Sequence, residues 1–467
     1  MSLTRTMGLC TAVMITGTLL SGSTVLGAPQ EEAPESGPEP RPISTERITR
    51  SSVPPKPERI ALEIQPIHRI ALDPQASGLE EAQYDTAIQA IDDGLLWLAA
   101  NQDSTGLWRL RTKAAPTDEP DNPTSVDLAL TALAVKAFAQ RGKPSPELER
   151  GITALLEETA RQGGFHGGEG SSLGTYVSAT ITSALASMDD PRYREHLDRA
   201  LVWLKQEQWT DEDGLEPEQD WFGGVGYGNR GRPDLSNTQM MLDALYDAGI
   251  CPDDPAAQRA LIFVSRTQNL ASTNGANWAQ AGSNDGGFIY TPANGGESMG
   301  SEYAGEGRYG ELLPAEAPRR LRSYGSMTYA GFKSLLHGGL TEEDPRVQAA
   351  LKWIQDHWTL EENPGVGQQG LYYCRHALAR TMQVSGMERI TSSDGVEHPW
   401  RSELITTLSR DQNPDGFWVN SEPRWLEGAQ ALTTCYAILA LEEALKGTQS
   451  SVPARGQNEA TGPDSTP

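Results

Sequence analysis

Side chains suited to proton transfer or ligand binding occur at the predicted starts of several helices and in the loops that precede them. The candidates for proton transfer are Asp234, Tyr324 and His376. The candidates for ligand contact are Trp221, Tyr227, Asn237, Arg322, Tyr373, Arg375 and Trp425. A tyrosine or histidine can act as a general base beside an arginine that neutralises a carboxylate, and aromatic rings can contact an apolar ligand. These residue types therefore predict a cavity and leave its reaction open.

Each candidate also has a structural alternative. Asp234 would serve equally well as a helix cap, because its carboxylate can accept hydrogen bonds from backbone N–H groups. Tyr373 would also suit a core. His376 is the residue most expected to contact a ligand, and its neighbour Arg375, with Arg322 and the positive ends of helices, would make the site favourable to an anion.

The elements that must position these residues form an internal repeat. Five segments begin with a proline at a helix start, and they are Ser145-Pro146, Asp190-Pro191, Asp254-Pro255, Asp344-Pro345 and His398-Pro399. Proline at the first helical position, behind a capping oxygen, is a helix start signal. A sixth segment without the proline covers about 83–102. After each comes a second helix, generally richer in small residues, predicted at about 125–141, 174–188, 235–248, 323–337, 369–385 and 429–446.

Six amphipathic helices that alternate with six small-residue helices predict an all-α fold. Short connections favour antiparallel neighbours, so each pair should form a hairpin. Closing six hairpins into a single (α/α)6 toroid would bury both ends of the array and bring the starts of the inner helices to one mouth. A linear solenoid of helix pairs is the alternative, but the count stops at six and nothing resembles a terminal cap.

Composition restricts the partners and the compartment. Acidic residues outnumber basic ones by 63 to 38, for a net charge of -25, so a nucleic-acid or anionic-membrane binder is not expected. Residues 1–28 have the charge and apolar pattern of an export signal, which predicts a periplasmic or secreted protein with no transmembrane domain in the mature chain. Pro29 disfavours cleavage there, so an uncleaved N-terminal anchor is the alternative.

The two ends differ in composition from the middle. Residues 29–80 are rich in proline, glutamate and serine and are predicted to be a linker. Residues 447–467 lack any apolar period and are predicted to be a disordered tail. The repeat domain is therefore expected to span residues 83–446.

Two segments carry a resemblance to a known superfamily. Gln102-x-x-x-Gly106-x-Trp108 and Gln412-x-x-x-Gly416-x-Trp418 are similar to the Gln-Trp repeat of squalene and hopene cyclases, which are related to the β subunits of protein prenyltransferases. The resemblance implies the twelve-helix toroid over residues 83–446. It also implies that the Gln and Trp side chains are structural.

The acid motif of the cyclases is not retained. Hopene-type cyclases have an Asp-x-Asp-Asp-Thr segment whose middle Asp protonates an alkene, and the matching stretch here is Asp234-Leu235-Ser236-Asn237-Thr238. A hydroxyl with a pKa near that of water is a far weaker acid than Asp. The difference of roughly 12 pKa units corresponds to about 16 kcal/mol. Ser236 therefore cannot start a cyclisation by protonation.

Two other activities of the superfamily are also disfavoured. Prenyltransferase β subunits hold zinc through Asp, Cys and His, and the nearest candidates here are Cys374 and His376, which point to different faces of a helix. No metal or other cofactor is therefore expected. Thioester proteins share the toroid, but Val366 stands where their thiol would be.

Three hypotheses follow. The first is an exported protein that binds an apolar or isoprenoid-like small molecule in an aromatic-lined central cavity, without proton-initiated cyclase activity. The second is an extracellular polysaccharide lyase or glycosidase that uses Tyr324 or His376 as a base. The third is a non-catalytic scaffold for protein partners, whose identity the sequence leaves unknown.

Overall fold

The computed structural model describes residues 72, 77–110, 123–165, 173–228, 230–299 and 321–447. The predicted export signal 1–28 and most of the predicted linker 29–80 lie outside the described residues, as do all but the first residue of the predicted tail 447–467. Among the described residues, no helix is both long and apolar enough to cross a membrane.

Twelve helices of twelve residues or more occur in this part of the chain. They are α1 (Glu81–Ala100), α2 (Ser125–Arg141), α3 (Pro146–Arg161), α4 (Gly174–Met188), α5 (Arg194–Gln206), α6 (Leu235–Asp247), α7 (Pro255–Arg266), α8 (Gly325–His337), α9 (Pro345–Asp356), α10 (Leu371–Ser385), α11 (Trp400–Asp411) and α12 (Gln430–Leu445). A single turn of helix, Asn277–Gln280, lies between α7 and α8. Strands β1 (Ile390–Thr391) and β2 (Glu397–His398) form an antiparallel hairpin before α11.

The even-numbered helices form a closed inner ring. Each packs against the next, from α2 through α4, α6, α8 and α10 to α12, and α12 packs against α2. The odd-numbered helices lie outside this ring, and each packs on at least one inner helix. The closing contact confirms the all-α (α/α)6 toroid and rules out the linear solenoid, whose first and last units would not meet.

Burial explains why the two sets of helices have different compositions. Inner helix α2 is surrounded by protein, and every residue from Asp127 to Ala139 is buried. Outer helix α3 buries only a stripe that includes Ile152 and Leu155. A helix that is buried on all sides needs small and apolar residues throughout, whereas an outer helix needs one apolar stripe.

Three of the five predicted proline starts begin an α-helix behind a capping side chain. Of the other two, Asp190 caps a 3-10 turn before α5, and Pro399 stands at the N-cap of α11 without a side-chain hydrogen bond. The Ser145 hydroxyl accepts hydrogen bonds from the N–H groups of Glu147 and Leu148 at the start of α3. Asp254 and Asp344 cap α7 and α9 in the same way, with proline at the first helical position. These caps satisfy N–H groups that have no partner within the helix.

Four glutamines join consecutive hairpins by the same pair of contacts. The Nε2 atom of each donates to a glycine carbonyl in the following loop and to a carbonyl of another outer helix, at 2.8 to 2.9 Å. The glutamines are Gln102, Gln208, Gln268 and Gln412. Gln412 binds Ala90 of α1, so it joins the last hairpin to the first. Indole Nε1 of Trp108 and of Trp418 donates to the carbonyl of Leu98 and Leu408 respectively.

Candidate functional site

Tyrosines from opposite sides of the inner ring meet near its centre. The hydroxyls of Tyr176 (α4) and Tyr436 (α12) are hydrogen-bonded at 2.8 Å. The Tyr373 hydroxyl (α10) lies 3.2 Å from Ser236 Oγ and accepts a hydrogen bond of 3.1 Å from Gln239 Nε2, both on α6. Helices α4 and α12 are not neighbours in the ring, and neither are α6 and α10, so these contacts cross the interior.

Several of the side chains near this centre keep part of their surface accessible. Tyr176, Tyr373 and His376 are only partly buried, although all three are carried on inner helices. The Tyr436 ring lies 5.8 Å from the rings of both Tyr373 and His376, edge-on to the first and stacked with the second. We call the space bordered by Tyr176, Ser236, Tyr373, His376 and Tyr436 the central recess. Its wall offers aromatic surface and neutral hydroxyl groups to a ligand.

A second cluster lies beside the recess at the start of α6. Asp234 caps α6, and its carboxylate accepts hydrogen bonds of 2.8 Å from the N–H of Asn237 and 2.9 Å from Asn237 Nδ2. The Tyr290 side chain is hydrogen-bonded to Asp234 and to Tyr227. Tyr227 is also hydrogen-bonded to Ser236, which connects this cluster to the recess.

Burial shifts the protonation equilibria of all three residues predicted to transfer protons. It raises the pKa of Asp234 to about 7, against the opposing effect of the Asn237 hydrogen bonds. Burial, together with the nearby charges of Lys136 and Lys333, lowers the pKa of His376 to about 3. Burial also raises the pKa of Tyr324 well above its usual value, with Tyr373 and Asp234 as the next contributions. At pH 7, His376 is therefore neutral and Asp234 is close to half protonated.

A layer of charged side chains crosses the ring below the recess. Lys136 Nζ (α2) lies 2.7 Å from Asp247 Oδ2 (α6), and Asp247 also pairs with Arg380 (α10). Arg380 contacts Glu443 (α12) at 3.0 Å. The layer is completed by Ser183 of α4, Asp243 of α6, Lys333 of α8 and Lys446 after α12. We call these side chains the ionic layer.

The structure places the predicted site residues in three different environments. The central recess and the Asp234 cluster contain Asp234, Tyr227, Asn237, Tyr324, Tyr373 and His376. Trp425 lies near the start of α10, where its ring packs against Gly370, and it is 36% exposed. Trp221 packs edge-on against Trp209 at 5.0 Å within its own loop.

Arg375 does not reach the recess. Its Nε donates to the Leu360 carbonyl at 2.9 Å, and its Nη1 lies 2.9 Å from Asp411 Oδ2. The reason is geometric, because adjacent residues on a helix point about 100° apart. His376 faces the ring interior, so Arg375 turns towards α11. Arg322 is partly buried in the segment before α8, where its carbonyl accepts a hydrogen bond from Ser298.

Cys374 and His376 do not form a pair of metal ligands with a third residue. Cys374 is buried, and burial raises the pKa of its thiol, which disfavours the thiolate that zinc requires. Within the described ranges, no three His, Cys, Asp or Glu side chains lie together in an arrangement that could hold a metal ion.

Sequence reasoning missed Tyr436, Tyr290 and the ionic layer. Tyr436 lies within α12 rather than at its start, so the convergence of helix starts does not indicate it. The ionic layer did leave a signal, because Lys136, Lys333 and Arg380 are charged residues inside otherwise small and apolar helices. Ionisable residues are seldom fully buried unless they are paired, so their recurrence at inner-helix positions predicts partners across the ring.

The comparison with protein families finds one match. Residues 116–291 match the squalene-hopene cyclase C-terminal domain family. This match runs from α2 to α7, and it lies between the two Gln-Trp segments without including either. It confirms, on different residues, the resemblance to squalene-hopene cyclases. No curated protein sequence matches the chain.

Similar solved structures include two kinds of enzyme. The type II terpene cyclase MstE of Scytonema, in complex with geranylgeranyl dihydroxybenzoate, is 11% identical, with 79% of this chain and 99% of the cyclase covered and a TM-score of 0.44. The GH76A α-1,6-mannanase of Salegentibacter is 11% identical, with 76% and 98% covered and a TM-score of 0.47. A glycosidase variant is 14% identical, with 79% and 99% covered and a TM-score of 0.41.

Proposed function

We propose that this terpenoid cyclase-like chain is an exported protein that binds a small apolar, isoprenoid-like molecule in the central recess. The observation that carries the proposal is the partial accessibility of Tyr373 and His376 inside the ring, beside the buried ring of Tyr436. Aromatic rings around a concave space favour apolar ligands, and a few hydroxyl groups fix their orientation.

The proposal does not include a cyclisation started by protonation. Ser236 occupies the position of the cyclase acid, and its hydroxyl is hydrogen-bonded to Tyr373. Asn237 replaces the next carboxylate, and its side chain donates to Asp234. Neither residue can deliver a proton to an alkene, since both are far weaker acids than a carboxylic acid. The function proposed for the recess is therefore ligand binding.

A second candidate is action on a polysaccharide, and the Asp234 cluster favours it. A general acid or base works best when its pKa is close to the working pH, and burial raises the pKa of Asp234 to about 7. The hydroxyls of Tyr227 and Tyr290 are hydrogen-bonded in the same cluster. Under this candidate, Asp234 would act instead of the predicted Tyr324 or His376, because His376 has the lower pKa and Tyr324 the higher one.

The test of binding is a thermal shift measurement with geraniol, farnesol and geranylgeraniol, combined with native mass spectrometry of the purified protein. A ligand at a hundred times its Kd stabilises the folded state by about 2.7 kcal/mol, which gives a measurable rise in Tm. We expect at least one prenol to raise Tm. His376→Trp should abolish this rise by filling the recess.

The matched control is His357→Trp, because His357 lies at the end of outer helix α9, where it stacks on Trp353 at 4.1 Å. This variant should keep the ligand-induced rise. An unchanged Tm with every prenol, together with no co-purified lipid, would reject the proposal. Release of new chain ends from uronic-acid polysaccharides or mannans, lost in Asp234→Asn, would establish the second candidate instead.

A further inference from the structure

The ionic layer lies at a fixed depth below the central recess. On each of α4, α6, α10 and α12, one recess residue has a member of the layer seven residues later on the same helix. The pairs are Tyr176 and Ser183, Ser236 and Asp243, Tyr373 and Arg380, and Tyr436 and Glu443. Seven residues of helix rise about 10 Å, so the layer lies two turns below the tyrosines.

Contacts across the ring close its interior at this level. Asp247 at the end of α6 pairs with Lys136 from one side and with Arg380 from the other. These partners lie on helices that are not neighbours of α6, so their side chains occupy the centre of the ring. Lys136 and Lys333 are both buried. The long ligand of a terpenoid cyclase would have to displace these groups.

The layer is also joined to the wall of the recess. Gln239 donates through Nε2 to the Tyr373 hydroxyl, and its Oε1 accepts a hydrogen bond of 2.7 Å from Lys333 Nζ. Lys333 in turn pairs with Asp243. Gln239 is buried, and the hydrogen bonds of its amide nitrogen and amide oxygen therefore hold Tyr373 at a fixed distance from the layer.

Every cation of the layer has a carboxylate partner. Lys136 pairs with Asp247 at 2.7 Å, and Lys446 pairs with Glu443 at 2.6 Å. Lys333 pairs with Asp243, and Arg380 contacts both Asp247 and Glu443. Asp247 and Glu443 each contact two of these cations. Asp243 pairs most closely with Lys333, so a phosphate group that took Lys333 would leave a buried carboxylate without its nearest cation, which is strongly unfavourable in a protein interior.

We propose that the ionic layer is the floor of the ligand site and restricts the site to short, uncharged molecules. A prenyl alcohol fits this description, and a prenyl diphosphate does not. The Tyr373 and Ser236 hydroxyls recognise the neutral polar group of the ligand, while the layer sets the length that can be accepted. This inference rests on the proposed function, because it names the ligand class of the same recess.

The test compares chain length and charge in the wild-type protein. Affinities are measured by calorimetry for geraniol, farnesol, geranylgeraniol and geranyl diphosphate. We expect geraniol to bind roughly tenfold more tightly than geranylgeraniol and than geranyl diphosphate. This part of the test needs no variant.

The double variant Lys333→Met/Asp243→Leu then removes one complete pair from the floor. Replacing both members of a buried ion pair with apolar residues of similar size is often neutral for stability, so the variant is expected to fold. It should bind geranylgeraniol roughly tenfold more tightly than the wild type. The matched control Lys352→Met/Asp356→Leu removes a pair on the surface of α9 and should leave the length preference unchanged.

Three results overturn the inference. Wild-type affinity that rises with chain length up to geranylgeraniol would show that the layer is not a floor. Geranyl diphosphate that binds as tightly as geraniol would show that the site accepts an anion. In both cases the proposed binding function would stand. If no prenyl compound binds at all, the proposed function fails and the inference with it.

Discussion

Burial has a larger effect on Asp234 than its hydrogen bonds do. Two donors from Asn237 stabilise the ionised carboxylate, yet the pKa is raised from 3.8 to about 7 because the group is almost fully removed from water. The raised pKa means that the folded protein binds a proton at Asp234 between about pH 4 and pH 7, whereas the unfolded chain releases it. By linkage, the contribution of Asp234 to stability must fall as pH rises through that window.

The effect of Asp234→Asn on the free energy of unfolding should therefore be more favourable at pH 7 than at pH 4. Asparagine can also cap a helix, so the variant keeps the α6 start while it removes the titration. Relative to the variant, the wild type should lose about 3 kcal/mol of unfolding free energy between pH 4 and pH 7, with little further change above pH 7. Urea unfolding of both proteins across this range measures the difference.

Asp344→Asn is the matched control with the opposite sign. Asp344 also caps a helix, but its hydrogen bonds with Arg346 lower its pKa. The wild type should gain stability relative to this variant as pH rises from below the lowered pKa. If the difference in unfolding free energy from the wild type changed with pH in the same way for both variants, burial would not be the cause of the raised pKa of Asp234.

The sequence predicts the recess residues only where they lie at a helix start. Tyr373 and His376 were found in this way, and both line the recess. Arg375 was placed with them because helix starts converge, but the direction of a side chain depends on its rotation about the helix axis. Because Arg375 is one residue away from His376 on the helix, its side chain points to Asp411 instead. The residues of α10 that face the ring axis can be assigned only from the closed ring, which shows which side of this helix is internal.

At the scale of elements, hydrogen bonds between hairpins stabilise the fold alongside the packing of apolar stripes. The order and approximate bounds of all twelve helices followed from proline, capping and small-residue patterns, because those signals are local. The predicted caps hold at α3, α7 and α9 but not at α5 and α11. The glutamine that ends an outer helix acts over a longer distance, since it binds another outer helix. Gln208 and Gln268 make the same two contacts as Gln102 and Gln412, although no Trp follows them at the matching position. The hydrogen bonds between hairpins therefore require the glutamine but not the complete Gln-x-x-x-Gly-x-Trp motif.

Gln268→Ala should destabilise the fold by roughly 2–4 kcal/mol, because it leaves the buried carbonyl of Gly286 and the partly buried carbonyl of Arg346 without this donor. Gln280→Ala is the matched control. Gln280 also donates to two carbonyls, but it is exposed, so water can replace its contacts, and the loss should be within about 0.5 kcal/mol. Denaturant unfolding measures both. A cost for Gln268→Ala as small as that of the control would mean that the hydrogen bonds between hairpins are not structural.

At the scale of the whole molecule, the ring closes through contacts between its two ends. Helix α12 packs on α1 and α2, and Gln412 donates to Ala90 of α1. The ionic layer adds a second closure, since Glu443 of α12 pairs with Arg380 and lies in the same network as Lys136 of α2. A closed array differs from a linear one, in which each repeat contacts only its neighbours and the end units can be lost singly.

Loss of α12 should therefore unfold the ring rather than shorten it. A chain that ends at Ala429 would leave α2, α10 and α1 with uncovered apolar surfaces, and Arg380 with one carboxylate partner fewer. We expect this chain to lack the cooperative thermal transition in calorimetry and near-ultraviolet circular dichroism. A chain that ends at Gly447 keeps all twelve helices and should unfold in one transition near the Tm of the full chain. A cooperative transition in the shorter chain would show that the first five hairpins fold independently of ring closure.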